Sequence, residues 1–239
     1  MNTLRDLQRE LESLANPAKA AVLKRFFKTG PGEYGEGDRF RGIKVPETRK
    51  LAKAYSHLSI QDATTLLKSP WHEDRLLALF LLIQHYRKAD ATSRNAIHRL
   101  YLDQIGKGVN NWDLVDSSAE YLVGAHLEHN DISLLEKLAR DKNLWKRRVA
   151  MIATFHFIKR GEYAATLRIA EILLADKHDL IHKAVGWMLR ETGKRNPAVE
   201  RRFLDRHAVK MPRTALRYAI EKFPESERKK YLALKPENR

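Results

Sequence analysis

Apolar residues recur along the chain at spacings of three and four, and the strict alternation of a half-buried strand is hard to find. Leu4, Leu7, Leu11 and Leu14 set the rhythm and predict an amphipathic first helix. Pro17, Pro46, Pro70, Pro197, Pro212 and Pro224 each precede or open a further helical stretch. A residue without an N–H costs a helix little at that position. The one long interruption is Thr29 to Lys44 (TGPGEYGEGDRFRGIK), which reads as a surface loop. About a dozen helices with short connections are expected, so the predicted class is all-α.

A faint internal repeat sharpens this. Ser69–Ala78 (SPWHEDRLLA), Asp141–Ala150 (DKNLWKRRVA) and Asp176–Val185 (DKHDLIHKAV) share a pattern, with offsets of 72 and 35 residues. The first offset is two repeats, and the hidden one contains Asn110 to Asp116. A period in the mid-thirties fits two helices plus turns. The expected architecture is a curved solenoid of HEAT-like helical pairs, an α-α superhelix, as a single domain over residues 1–239. In register, Phe80, Asp116, Ile152 and Trp187 are equivalent. One turn earlier stand Leu76, Trp112, Arg148 and Lys183, preceded by Arg75, Asn111, Arg147 and His182. Second helices of such repeats line a concave side. Their first turns would form a basic stripe interrupted by tryptophan and one carboxylate.

Charge gives that stripe a partner. Lys and Arg number 45 against 30 Asp and Glu, a formal net charge of +15 with pI about 10.0. Such an excess favours polyanions, and cationic side chains on a phosphate backbone release its counterions. A membrane partner is not expected, because no apolar run approaches the ~20 residues that span a bilayer. The opening residues read as a charged amphipathic helix and not a signal sequence. The chain has no cysteine. That removes disulfides, thiolate nucleophiles and cysteine-ligated metals, and a cytoplasmic location is expected.

Asp116 is the sharpest candidate. Its bland reading is a solvated carboxylate near a helix N-terminus. Within a basic stripe, however, an acid repels the ligand the stripe attracts, unless it acts on that ligand. Trp112 lies one turn earlier on the same face, and Trp187 takes Asp116's register two repeats on. The pair reads either as core or as an aromatic wall for a cationic or sugar-faced ligand. Trp71 and Trp145 read as packing, and Asp113 as a helix-terminal charge. Arg148 and Lys183 are candidate phosphate ligands, with Arg147, Arg75 and Arg190 as weaker versions of the same assignment; a solvated charged face is the alternative. His178 with His182, and His126 with His129, lack a third ligand, so no metal is expected. The glycines before Lys44 are not followed by the Gly-Lys-Ser/Thr of a P-loop.

From Pro17 to about Phe223 the chain resembles the AlkD-type DNA alkylation repair glycosylases, which are built from HEAT-like repeats. The resemblance is carried by GDRFRGIKVPETR (Gly37–Arg49), WDLVDS (Trp112–Ser117), NLWKRR (Asn143–Arg148) and HKAVGWMLRE (His182–Glu191). It implies that Asp116 is the catalytic carboxylate, that Trp112 and Trp187 flank the lesion, and that Arg148 contacts the DNA backbone. It also implies action without swinging the base into a pocket. Two positions depart from the pattern: Phe26 stands where some members carry tyrosine, and Arg41 where an apolar residue is common.

The residues agree with that chemistry. Glycosidic hydrolysis ordinarily uses two carboxyl groups, and only one is in view here. One suffices when the leaving base is already cationic, as in N3- and N7-alkylated purines. No cofactor is expected. The expected partner is double-stranded DNA containing alkylated purines, bound by a monomer. The alternative is a non-catalytic helical-repeat DNA-binding or scaffold protein.

Overall fold

A computed structural model of the chain describes residues 3–127 and 131–234. It is built of helices. Among the described residues there is no β-strand, only isolated bridges pairing Arg39 with Trp71 and Ile105 with Val109. No helix among them is long and apolar enough to cross a membrane. The chain forms two compact units, divided between Ser118 and Ala119.

The first unit holds α1 (Leu4–Ser13), α2 (Pro17–Phe26), α3 (Val45–Ala54), α4 (Ile60–Leu67), α5 (His72–Lys88), α6 (Ala91–Gln104) and α7 (Trp112–Asp116). The leucine rhythm of α1 buries Leu7 and Leu11 completely. Thr3 and Asp6 close its N-terminus as a reciprocal capping box. Helix α5 is the central element, with α3 and α4 packed on it. Every residue from His72 to Ile83 is buried, which suits a sequence apolar on all sides after its first turn.

That first turn is the exception. His72, Glu73, Asp74 and Arg75 are all buried, a placement charged side chains tolerate only when partnered. The segment between α2 and α3, the expected loop, supplies partners. Glu73 accepts the backbone N–H groups of Arg41, Gly42 and Ile43 at 2.9, 2.8 and 3.1 Å. Asp74 takes the Arg41 guanidinium at 2.8 and 3.1 Å, plus the Ser69 hydroxyl at 2.7 Å. Arg41 also lies over the Trp71 ring, 4.7 Å from its centroid. Arg41 thus has a defined structural task. Gly42 has φ +85°, and a Cβ there would stand 2.2 Å from the Asn16 carbonyl oxygen. Only glycine fits.

The second unit holds α8 (Ala119–Leu122), α9 (Ser133–Ala139), α10 (Leu144–Ala153), α11 (Phe155–Lys159), α12 (Ala164–Leu173), α13 (Asp179–Arg195), α14 (Pro197–His207), α15 (Arg213–Ala219) and α16 (Glu225–Ala233). Helices α9 with α10, and α12 with α13, make successive pairs, and α10 packs on α13. The second members begin at Leu144 and Asp179, 35 residues apart, matching the repeat offset. Helix α13 packs most extensively on α15. Gly186 permits this, because a Cβ there would come within 2.3 Å of the Ala215 carbonyl oxygen.

Candidate active site

Helix α7 is a single turn and a half of WDLVD, capped by the Asn111 side chain on the Trp112 N–H at 2.9 Å. Leu114 and Val115 are fully buried and fix which face turns inward. Trp112 and Asp116, four residues apart, share a face and are both half-buried. The Trp112 indole stacks on Phe27 at 5.1 Å with the ring planes 11° apart, and meets Phe26 edge-on at 5.8 Å. Phe27 stacks in turn on Phe40 at 4.9 Å. The charge of Asp116 adds to burial in holding the Tyr101 phenol above its ordinary pKa.

Between Trp112 and Asp116, Asp113 points into the unit. His72, only 2% exposed, reaches Asp113 Oδ2 through Nε2 and Asp38 Oδ2 through Nδ1, both at 2.8 Å. Burial favours the neutral ring, but Asp113 and Asp38 outweigh it and push the His72 pKa up to about 9. At neutral pH the ring is an imidazolium donating to two carboxylates. Asp38 also takes Arg75 at 2.6 Å and the Asn111 amide at 3.1 Å. Despite its burial, its pKa stays below the usual value, held there by His72 and then Arg75. This buried network joins the α2–α3 loop, α5 and α7.

In the second unit, Trp187 is half-buried, with its ring 6.2 Å from that of Phe155. It hydrogen-bonds Glu191. Glu191 is further held by Lys194 at 2.6 Å and Arg195 at 3.1 Å. Burial opposes its ionisation, yet these partners keep its pKa below normal. Arg148 is 4% exposed and donates to the Leu180 carbonyl at the start of α13. Arg147 reaches Asp176 at 2.6 Å and the Asp141 and Lys142 carbonyls. Lys183 pairs with Asp179 at 2.7 Å near the surface. Arg190 pairs with Glu221.

Residues 7–223 match the model of a family described as DNA alkylation repair enzyme. The chain belongs to the DNA alkylation repair enzyme family. A solved structure described as a predicted DNA alkylation repair enzyme from Enterococcus faecalis shares the fold, with TM-score 0.66 and 19% identity. The alignment covers 88% of this chain and 97% of that one. No curated protein matches at a significant level.

Within this family member, the register groups Trp112 and Asp116 on one face of α7, as expected. Arg75, expected as a weaker phosphate ligand, makes an internal contact. Its guanidinium is buried against Asp38 and the Ser69 carbonyl. Arg148 is likewise directed into its own unit. Asp113 is more than a helix-terminal charge, being the acceptor for His72. Of the histidine pairs, His182 donates through Nε2 to the Asp176 carbonyl and His178 caps α13, while His129 lies outside the described residues. Asp38, His72, Glu73 and Asp74 are the residues that sequence reasoning missed. For the last three the signal was HEDR, four ionisable residues opening a helix whose next eight residues are apolar; Asp38 had none.

Proposed function

We propose that this family member is a DNA glycosylase that hydrolyses the N-glycosidic bond of cationic N3- and N7-alkylated purines in duplex DNA. One observation carries the reading. Helix α7 presents Trp112 and Asp116 half-buried on one face, while buried Leu114 and Val115 and the Asp113–His72 contact fix that face. A carboxylate held this way is preorganised to stabilise an oxocarbenium-like deoxyribose and to assist an incoming water. Trp112, braced by Phe27, offers its ring to the same developing cation. The lesion need not enter a pocket, because a cationic base leaves without being protonated. Trp187 and Lys183, carried by the second unit, are assigned by register to the lesion and the phosphate backbone. The second half of the chain holds most of the positive charge, with 26 Lys and Arg against 16 Asp and Glu over residues 119–239.

The test is single-turnover release of N7-methylguanine by Asp116→Asn. The substitution keeps the shape and removes the charge. A loss on the order of 10²–10³ in rate is expected, with duplex affinity intact or improved, since a repulsive charge has gone. Wild-type rates in this variant would remove Asp116 from the chemistry.

A further inference from the structure

Helix α13 carries Trp187 and Glu191 four residues apart, which puts them on one face. The indole N–H of Trp187 donates to the Glu191 carboxylate. Trp187 is half-buried, but Glu191 is only 8% exposed. A carboxylate so far out of water persists when its oxygens are partnered. Lys194 Nζ stands 2.6 Å from Oε1, and Arg195 Nη1 stands 3.1 Å from Oε2. The same Arg195 nitrogen also donates to the Glu191 backbone carbonyl at 3.0 Å.

Phe155 closes the other side of this cluster. Its ring lies 6.2 Å from that of Trp187, and the Arg195 guanidinium lies 5.6 Å from its centroid. Lys159 approaches the Phe155 ring to 4.5 Å and is itself held by Glu120 at 2.6 and 2.8 Å. The Trp187 ring is thus braced at its N–H by a carboxylate and along its flank by an aromatic ring, each fixed by cations.

A neutral acceptor would hold the indole N–H without the cost of burying a charge. The charge adds two things. A charge-assisted hydrogen bond is shorter and stronger than a neutral one, so the ring plane is held more firmly. Hydrogen-bonded groups also polarise one another: an anion on the N–H pushes electron density into the indole and strengthens the pull of its face on a cation.

We infer that Glu191 is a positioning residue for glycosidic cleavage, fixing the plane of the Trp187 indole and polarising it toward the cationic lesion and sugar. The inference rests on the assignment of Trp187 to the lesion.

Glu191→Gln keeps the shape and an acceptor oxygen but removes the charge. The indole N–H resonance of Trp187, identified by its absence in Trp187→Phe, should move upfield in Glu191→Gln. Single-turnover release of N7-methylguanine should slow roughly tenfold. In the Trp187→Phe background, which has no N–H to hold, Glu191→Gln should slow release no further, because two groups acting as one are not additive. A purely structural loss of the Lys194 and Arg195 pairs would instead lower the rate equally in both backgrounds. Equal losses, an unmoved Trp187 resonance, or wild-type rates in Trp187→Phe each overturn the inference. A wild-type chain that releases no alkylated base fails the glycosylase reading and takes this inference with it; an active chain with additive losses fails this inference alone.

Discussion

His72 and Asp113 are joined by a 2.8 Å contact that ties helix α7 to the buried start of α5. Because the same ring reaches Asp38 on the α2–α3 loop, the position of α7 depends on a charge balance several residues from its exposed face. Removing one member of a buried ionic set leaves the rest uncompensated, at a cost of about 3–5 kcal/mol. Asp113→Asn is therefore expected to lower the melting temperature markedly, since each kcal/mol shifts it by about 2–4 °C in a chain of this length. It should also slow excision by loosening α7. Asp116→Asn, half-exposed, should lose activity with little change in melting temperature. Equal melting temperatures for both variants would show that His72 does not anchor the helix.

The same network has a pH signature. The His72 pKa is raised from 6.5 to about 9. The folded state therefore binds this proton more tightly than the unfolded chain does. Its stabilisation is complete below about pH 6.5 and is lost as pH rises through about 9. Nitrogen chemical shifts of the His72 ring should report an imidazolium at pH 7.5 in wild type. In Asp113→Asn, which lacks the larger of the two carboxylate effects, the titration should move down toward neutrality. A ring already neutral at pH 7 would refute the clamp.

How much of this could be read in the sequence depended on whether the determinant was local. Leu7 and Leu11 in α1, the proline-marked starts of α2 and α14, and the irregular segment before Val45 follow from periodicity and punctuation. The 35-residue offset between α10 and α13 was visible because each is the second member of a pair, α10 on α9 and α13 on α12. The partners of Asp38 were not visible. His72, Arg75 and Asn111 lie 34, 37 and 73 residues away. No periodicity encodes a contact of that kind. The inward pairing of Arg75 was hidden for the same reason: its register position is shared with Arg147, and only the fold brings Asp38 to it. Arg148 resembled a phosphate ligand by type, and only the close approach of α10 to α13 directs it to the Leu180 carbonyl.

Glu200 gives an independent stability prediction. It is buried on α14, its Oε1 has no hydrogen-bond partner, and burial pushes its pKa up to about 8 despite Arg201 and Arg190 nearby. The folded state holds this proton more tightly than the unfolded chain, so stability falls as pH rises from about 4.5 through 8. Glu200→Gln, neutral at every pH, should melt several degrees above wild type at pH 9. The gain should shrink toward pH 5. A constant difference across that range would assign the effect to packing and not to ionisation.

Binding should separate the arginines from the lysine. Duplex affinity is expected to fall steeply with salt, with a log–log slope of about −0.9 for each phosphate contact. Lys183→Ala should reduce that slope by about one unit. Arg75→Ala should leave the slope unchanged and lower the melting temperature, because its guanidinium is spent on Asp38 inside the first unit. Anisotropy titrations at several salt concentrations distinguish the two. A slope near zero in wild type would end the phosphate-binding reading altogether.

Substrate charge is the most direct check on the chemistry. Glycosidases that cleave neutral leaving groups ordinarily pair an acid with a base or nucleophile. The exposed face of α7 offers Asp116 alone, since Asp113 faces inward and is engaged by the charged His72 ring. An N3- or N7-alkylated purine needs no acid, because its positive charge is neutralised as the bond breaks. The enzyme should therefore release N3-methyladenine and N7-methylguanine from duplex DNA and leave uracil and hypoxanthine in place. Both neutral lesions also serve as controls for binding, because backbone contacts do not distinguish them from the cationic ones. Chelators should have no effect on the rate, as no step in the proposal uses a metal. Efficient release of uracil would require a proton donor at the leaving base and would break the one-carboxylate mechanism. Activity lost in chelator and restored by zinc would break it in a different way, by returning the histidines to the chemistry.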